Sequence, residues 1–222
     1  MQFKGVHSDI GGGNDNSKRS NIALNWMLDE ATKAGVEIDS TKRALDKYAQ
    51  IDWDAPISEN KDVVTDSKRV IPKSVPFHPS AKSRNLDIGE PHSVNTVARL
   101  KFNWARVSLK EGQQYKIWTN KSDTWDDAAI TCNASGWKSE ELGFLKESVV
   151  KVVEKKRRCP DADWFELVGA YDNDKGLDCF RIGEGTTFTA ERDGELYLYA
   201  NDLNTRYANN AGLIRVFIER VA

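Results

Sequence analysis

The amino-acid sequence predicts a mainly β protein whose C-terminal part is an antiparallel β-sandwich, preceded by a shorter helical part. Three observations predict it. After residue 92, apolar and polar residues alternate in several short runs, the period at which side chains point to opposite faces of a sheet. Gly, Asp and Asn separate these runs, so hairpins rather than long crossovers join the strands. Before residue 48 the period is helical, with Ile22, Ala23, Trp26, Met27 and Ala31 at helical spacing.

Taken in order, three stretches of the 222 residues differ in texture. In 1–48 a glycine-rich turn leads into a helix. Ser20 suits its N-cap, Gly35 after Ala34 suits its C-terminal cap, and a second helical stretch follows over 41–48. The stretch 49–91 holds Pro56, Pro72, Pro76, Pro79 and Pro91, five of the six prolines, and reads as an irregular linker. The stretch 92–222 forms the sandwich, with strands expected at 97–107, 114–119, 164–171, 186–190, 195–200 and 212–220. Residues 139–156 fit a helix or a strand pair equally well.

Composition narrows the function classes. Acidic and basic residues nearly cancel, at a net charge of −2, so nothing electrostatic draws the chain to nucleic acid or an anionic membrane. The basic run Lys155, Lys156, Arg157 and Arg158 is expected to be a solvated loop or edge. Cys132, Cys159 and Cys179 form no Cys-x-x-Cys pair, which argues against zinc. Three cysteines fit a reducing compartment best, with one bridge plus one free thiol as the alternative. No run reaches the roughly 18 apolar residues that a membrane span needs, and residues 1–5 lack the apolar core of a signal peptide. Trp104, Trp118, Trp125, Trp137 and Trp164 are expected in the core rather than on sugars.

Two constellations carry chemistry. In the first, His7 ends a short apolar segment, and a glycine-rich turn with Gly11, Gly12 and Gly13 follows before the helix. A rigid strand end can hold an imidazole as a general base, with Asp9 orienting it or bonding to the turn. Residues 5–13, with Asn21, Ile22, Ala23, Leu24, Asn25, Trp26, Met27 and Leu28 downstream, resemble the type VI secretion phospholipase effectors, an α/β-hydrolase family. The resemblance implies that 1–48 is the C-terminal remnant of that hydrolase domain, with His7 the histidine of a Ser-His-Asp triad. It also implies membrane lipid as the parent effector's substrate, and a cytoplasmic origin with export through a type VI system. No Gly-x-Ser-x-Gly elbow is present, and the acid preceding the histidine is missing. The chain is therefore expected to hydrolyse no short acyl ester by itself, and His7 to be a relic.

In the second, the loop 201–210 lies between two alternating runs and is dense in side-chain oxygens. Hard cations such as Ca2+ require such ligands, although Asn and Asp also favour ordinary turns. Leu198, Tyr199, Ala200, Asn201 and Asp202, then Tyr207, Ala208, Asn209, Asn210, Ala211 and Gly212, resemble the calcium-binding loop of PA-IL-type galactophilic lectins. The resemblance implies a galactose-binding-like sandwich in which Asp202, Asn209 and Asn210 are side-chain ligands to Ca2+. Arg206 would give its backbone carbonyl, and Trp125, flanked by Asp123 and Asp126, a second one. Asp202 and Asn209 would also meet the sugar. The His and Gln that complete the family's sugar site have no counterpart, so calcium is better supported than galactose.

The sequence thus points to a calcium-dependent carbohydrate-binding module, of galactose type by resemblance, joined to the truncated end of an effector. Two alternatives stay open: part of an active lipase whose nucleophile lies upstream, and a structural sandwich without ligand.

Overall fold

Alternation along the chain becomes, in the computed structural model, two antiparallel sheets. The structure describes residues 1–5, 7–13, 16–57, 74–142, 154–171 and 178–222. They fall into two compact units, Met1–Lys82 and Ser83–Ala222. Among the described residues no helix is long and apolar enough to cross a membrane.

The first unit contains α1 (His7–Gly11), α2 (Ser20–Lys33), α3 (Ser40–Arg43) and α4 (Asp46–Ala49). His7 opens a short helix instead of ending a strand, and its side chain lies outside the described residues; Asp9 is buried. Ser20 is the first helical residue rather than the N-cap; its hydroxyl donates to the Ser17 carbonyl at 2.9 Å. The single helix expected over 41–48 is two separate turns, because Asp39 caps α3 and the extended Leu45 starts α4. Asn21 and Asn25, four apart on one face of α2, donate to the carbonyls of Lys47, Gln50 and Tyr48, all at 2.9 Å. These bonds satisfy carbonyls at the end of α4 that a one-turn helix would otherwise leave without partners.

The second unit is the sandwich. Its strands are β1 (His92–Val97), β2 (Asn103–Leu109), β3 (Gln114–Thr119), β4 (Trp125–Asp127), β5 (Ile130–Cys132), β6 (Leu167–Tyr171), β7 (Cys179–Arg181), β8 (Gly185–Thr189), β9 (Gly194–Ala200) and β10 (Asn210–Arg220). One sheet runs β5-β4-β10-β3-β8, with β1 also on β10; the other runs β2-β9-β6-β7. Trp125, Tyr115, Phe165, Leu196, Leu198 and Ile214 fill the space between them and are almost fully buried.

The strand expected at 97–107 is two strands with a turn between. Asn103 makes the difference: its amide accepts from Val97 N–H at 2.9 Å and donates to the Val97 carbonyl at 3.1 Å. The side chain so closes the turn as a ladder pair would. From residue 83 the stretch read as linker belongs to the second unit. Arg84 N–H donates to the Arg106 carbonyl at 2.7 Å, Gly89 N–H to the Arg220 carbonyl at 3.0 Å, and Leu86 is buried in the core. Residues 139–156 show neither alternative where described: Ser139–Leu142 and Glu154–Lys156 are 3-10 turns, and 143–153 lie outside the described residues.

A second apolar cluster lies on the other face of the four-stranded sheet. There Cys159 and Ala162, from an irregular segment, cover Val168, Ala170 and Tyr199. Cys159 is bridged to Cys179, and Cys132 is in no disulfide. Trp104, Trp125, Trp137 and Trp164 are buried as expected; Trp118 is half-buried and stacks on Phe217 at 5.5 Å.

Strand β10 changes partners along its length. Asn210, Ala211 and Gly212 pair with Asp127, Asp126 and Trp125 of β4, and Val216 to Arg220 pair with β3. The change is made at Gly212, with φ of +83°, where an added Cβ would lie 3.0 Å from Trp125 Cα. Left-handed backbone and close packing both oppose a side chain there. Gly212→Ala is expected to cost about 2–3 kcal/mol, against about 1 for Gly112→Ala, where only the backbone objects. Denaturant melts of the two variants check this; equal costs would remove the packing argument.

Candidate cation site

Three segments meet at one end of the sandwich: the end of β4, the loop after β9, and the start of β10. Asp202 is 3% exposed. Its Oδ1 accepts from Leu203 N–H at 2.6 Å and its Oδ2 from the Asn210 amide at 3.1 Å. Asn210, also 3% exposed, donates again to the Ala98 carbonyl at 3.4 Å. Its Oδ1 is buried with no hydrogen-bond partner. A buried carbonyl oxygen without a donor costs about 1–3 kcal/mol.

The second carboxylate of the site comes from a residue that the sequence did not single out. Trp125 is a core side chain whose backbone sits in the β4 ladder between Gly212 and Cys132. Asp123 accepts from Arg215 N–H at 3.1 Å, and Asp126 from the Thr131 hydroxyl at 2.6 Å. It is Asp127, the register partner of Asn210, that faces the loop. Its Oδ1 accepts from the Asn209 amide at 3.4 Å and its Oδ2 from Trp137 Nε1 at 3.2 Å. Alternation after Trp125 could have found it, since Trp125 and Asp127 point to the same side of the strand. Asn209 is exposed at the rim, on a 3-10 turn (Tyr207–Asn209) capped by Arg206, whose carbonyl accepts from Asn209 N–H at 3.2 Å.

Two carboxylates therefore share one partly buried place. Burial raises Asp202, with Leu203 N–H and Asn210 opposing the shift. Burial and then the charge of Asp202 push Asp127 up to about 6, against the Trp137 and Asn209 bonds. A carboxyl group whose folded value lies above its unfolded one stabilises the fold below the unfolded value, and that stability is lost as pH rises through about 6. In a chelator, the wild type is thus expected to lose about 1–2 kcal/mol relative to Asp127→Asn between pH 4 and pH 7.5, after discounting for partial exposure. Melting curves of both at the two pH values measure it; parallel curves would refute the coupling.

Trp137 links this cluster to a cavity of about 300 Å3, also lined by Lys138, Asp163, Glu166 and Arg181. Arg181 pairs with Glu166 at 2.8 Å and Asp163 at 3.0 Å. With Lys138 the lining charges balance, which suits a neutral ligand better than an ion. Trp137 itself is held by stacking on Trp164, with centroids 5.5 Å apart and planes at 10°. Gly136 makes that turn fit: at φ +75°, an added Cβ would stand 2.1 Å from the Trp164 carbonyl oxygen.

The basic run is divided rather than solvated throughout. Lys155 and Lys156 are exposed, but the Arg158 guanidinium lies over Tyr199 at 3.7 Å and Phe102 at 4.2 Å and donates to Tyr207 Oη at 2.8 Å. A planar cation that can stack and donate at once fits an aromatic cage where a lysine would not.

No family model matches the chain, and no curated protein matches it. Among solved structures, the N-terminal domain of EclA, described as a PllA-like lectin, is similar. Identity is 18%, over 58% of this chain and 94% of that one, with a TM-score of 0.41. The fold assignment rests on the two sheets themselves.

Proposed function

We propose that the second unit is a carbohydrate-binding module in which Asp202, Asn210, Asn209 and Asp127 hold one Ca2+ ion. One observation carries the reading: two carboxylates and two amides from separate segments converge, and one amide oxygen is buried without a donor. With the Asn209 and Asn210 amides turned so that their oxygens replace the nitrogens now donating to Asp127 and Asp202, the donor set would be all oxygen, as a hard cation requires, and the cation's charge would offset the repulsion between the acids. An amide flip would turn Asn210 Oδ1 toward Asp202, an arrangement tolerable only with a cation between them. Arg206 would add its carbonyl; Asp127 takes the place in the ligand set given to Trp125 by the resemblance. Bound calcium supplies coordination for vicinal sugar hydroxyls.

The chain's own residues do the rest. Asn209 stands at the exposed rim, where its amide can meet a ligand, and Trp137 closes the site on the side of the neutral cavity. A neutral sugar of galactose type fits the balanced charge. Calorimetry with calcium, then with galactose before and after chelation, tests it. The reading predicts one ion per chain and sugar heat only with the ion present. Absence of any calcium heat would leave the sandwich as a structural domain.

A further inference from the structure

We propose that the Arg158–Asp163 segment, tethered by the Cys159–Cys179 bridge, positions Asp202 for the cation, so that ion affinity depends on the thiol state. The inference rests on the calcium reading above, and it concerns residues that touch no ligand. Asn201, the residue before Asp202, is fully buried. Its Oδ1 accepts from Cys159 N–H at 2.9 Å. Its Nδ2 donates to the carbonyls of Cys159 at 2.9 Å, Asp163 at 3.0 Å and Ala162 at 3.1 Å. Its backbone is equally committed: N–H to the Glu166 carbonyl at 2.9 Å, and carbonyl from Phe165 N–H at 2.7 Å. Every polar group of Asn201 is therefore bonded to the segment 159–166.

The grip extends across the loop. Arg158 N–H donates to the Asp202 carbonyl at 3.2 Å, and Arg157 forms an isolated bridge with Leu203. At the far end, Tyr207 donates to the Ala200 carbonyl at 2.6 Å while accepting from Arg158. Arg158 and Cys159 thus hold both ends of the loop that carries Asp202 and Asn209. The segment that does this is irregular, and β7 anchors it covalently through Cys179. A bridge of this kind limits the conformations open to the segment it closes.

A dithiol reductant would remove the anchor. Two electrons and two protons pass from the dithiol to the Cys159 and Cys179 sulfurs, the S–S bond between them breaks, two thiols form, and the dithiol becomes its own cyclic disulfide. The segment would then hold Asn201 by hydrogen bonds alone, and Asp202 would be less well placed.

The test uses Tb3+ as a luminescent stand-in for Ca2+, sensitised by the Trp137 indole that bonds Asp127. Calcium competition is titrated on the oxidised protein, the protein reduced with dithiothreitol, and Cys179→Ser, well below their melting transitions. The expected result is about ten-fold weaker binding on reduction, the same loss in Cys179→Ser, and no response of Cys179→Ser to reductant. A merely structural bridge would lower the melting temperature of the ion-free protein and leave affinity unchanged. Affinities within two-fold of one another therefore overturn the proposal. Should Cys179→Ser not fold, the oxidised against the reduced wild type decides by the same ten-fold criterion. If the oxidised wild type binds neither ion, the calcium reading fails first and the positioning role falls with it.

Discussion

Asp202→Asn is expected to abolish the calcium-dependent rise in melting temperature while leaving the ion-free fold nearly intact. The wild-type site, with two carboxylates and neutral amides, is expected to bind calcium with Kd on the order of 10⁻⁵ to 10⁻⁴ M. At about 5 mM calcium, binding to the folded state alone then stabilises it by about 2–4 kcal/mol. For a domain of this size that is a rise on the order of 10 °C. Asparagine keeps the shape of the side chain and one acceptor, so it loses only one of the Leu203 and Asn210 bonds. That cost is about 1 kcal/mol in the ion-free protein, and Asn210 can turn its amide to reduce it. Asp127→Asn removes the other charge and should also weaken binding by an order of magnitude or more, whereas Arg206→Ala keeps its backbone carbonyl and should not. Thermal melts with calcium and with chelator measure all three. An unchanged calcium shift in Asp202→Asn would remove the site.

Trp125→Ala should be the most damaging single core change, at about 3–5 kcal/mol. The indole is 1% exposed, meets Phe165 edge-to-face at 5.6 Å, and backs directly onto the tight crossing at Gly212. Phe165 in turn sits at φ +59°, a conformation a bulky residue holds only when its surroundings impose it. Removing Trp125 leaves a cavity between the sheets and frees β4, two residues before Asp127. Loss of calcium binding should therefore accompany loss of stability. Trp118→Ala is the control: that indole is half-buried on the outer face of the larger sheet, stacked on Phe217. It should cost about 1 kcal/mol, the worth of an aromatic pair. Denaturant unfolding of both variants decides; similar costs would mean that the Trp125 pocket collapses without penalty.

Short strand-like runs bounded by Gly, Asp and Asn were enough to place five strands close to their observed ends, although β6 is buried at every residue and shows no alternation. This reading failed where other physics intervened. The run at 97–107 reads as one strand, yet the Asn103 amide turns the chain, and a side chain that substitutes for a ladder pair leaves no periodic trace. The short β4, β5 and β7 have three residues each, too few to show a period at all. The loop from Asp202 to Asn210 was legible because its oxygens are consecutive in sequence. Asn210 bonds Asp202, whereas Asn209 bonds Asp127 on β4.

What the sequence by itself determined was the class of fold and one side of the candidate site, since both depend on neighbours along the chain. The tertiary structure alone decided the rest. Asp127 lies 75 residues before Asp202 and meets it only because β4 pairs with the first residues of β10. Arg158 looks in sequence like one of four solvated cations; its aromatic cage is assembled from Phe102, Tyr199 and Tyr207, which only the packing of the sheet brings together. The bridge between Cys159 and Cys179 likewise needs a Cα separation of 5.9 Å across 20 residues of chain. Side-chain identity states what a residue can do; the long-range pairing of strands determines which residue it does it with.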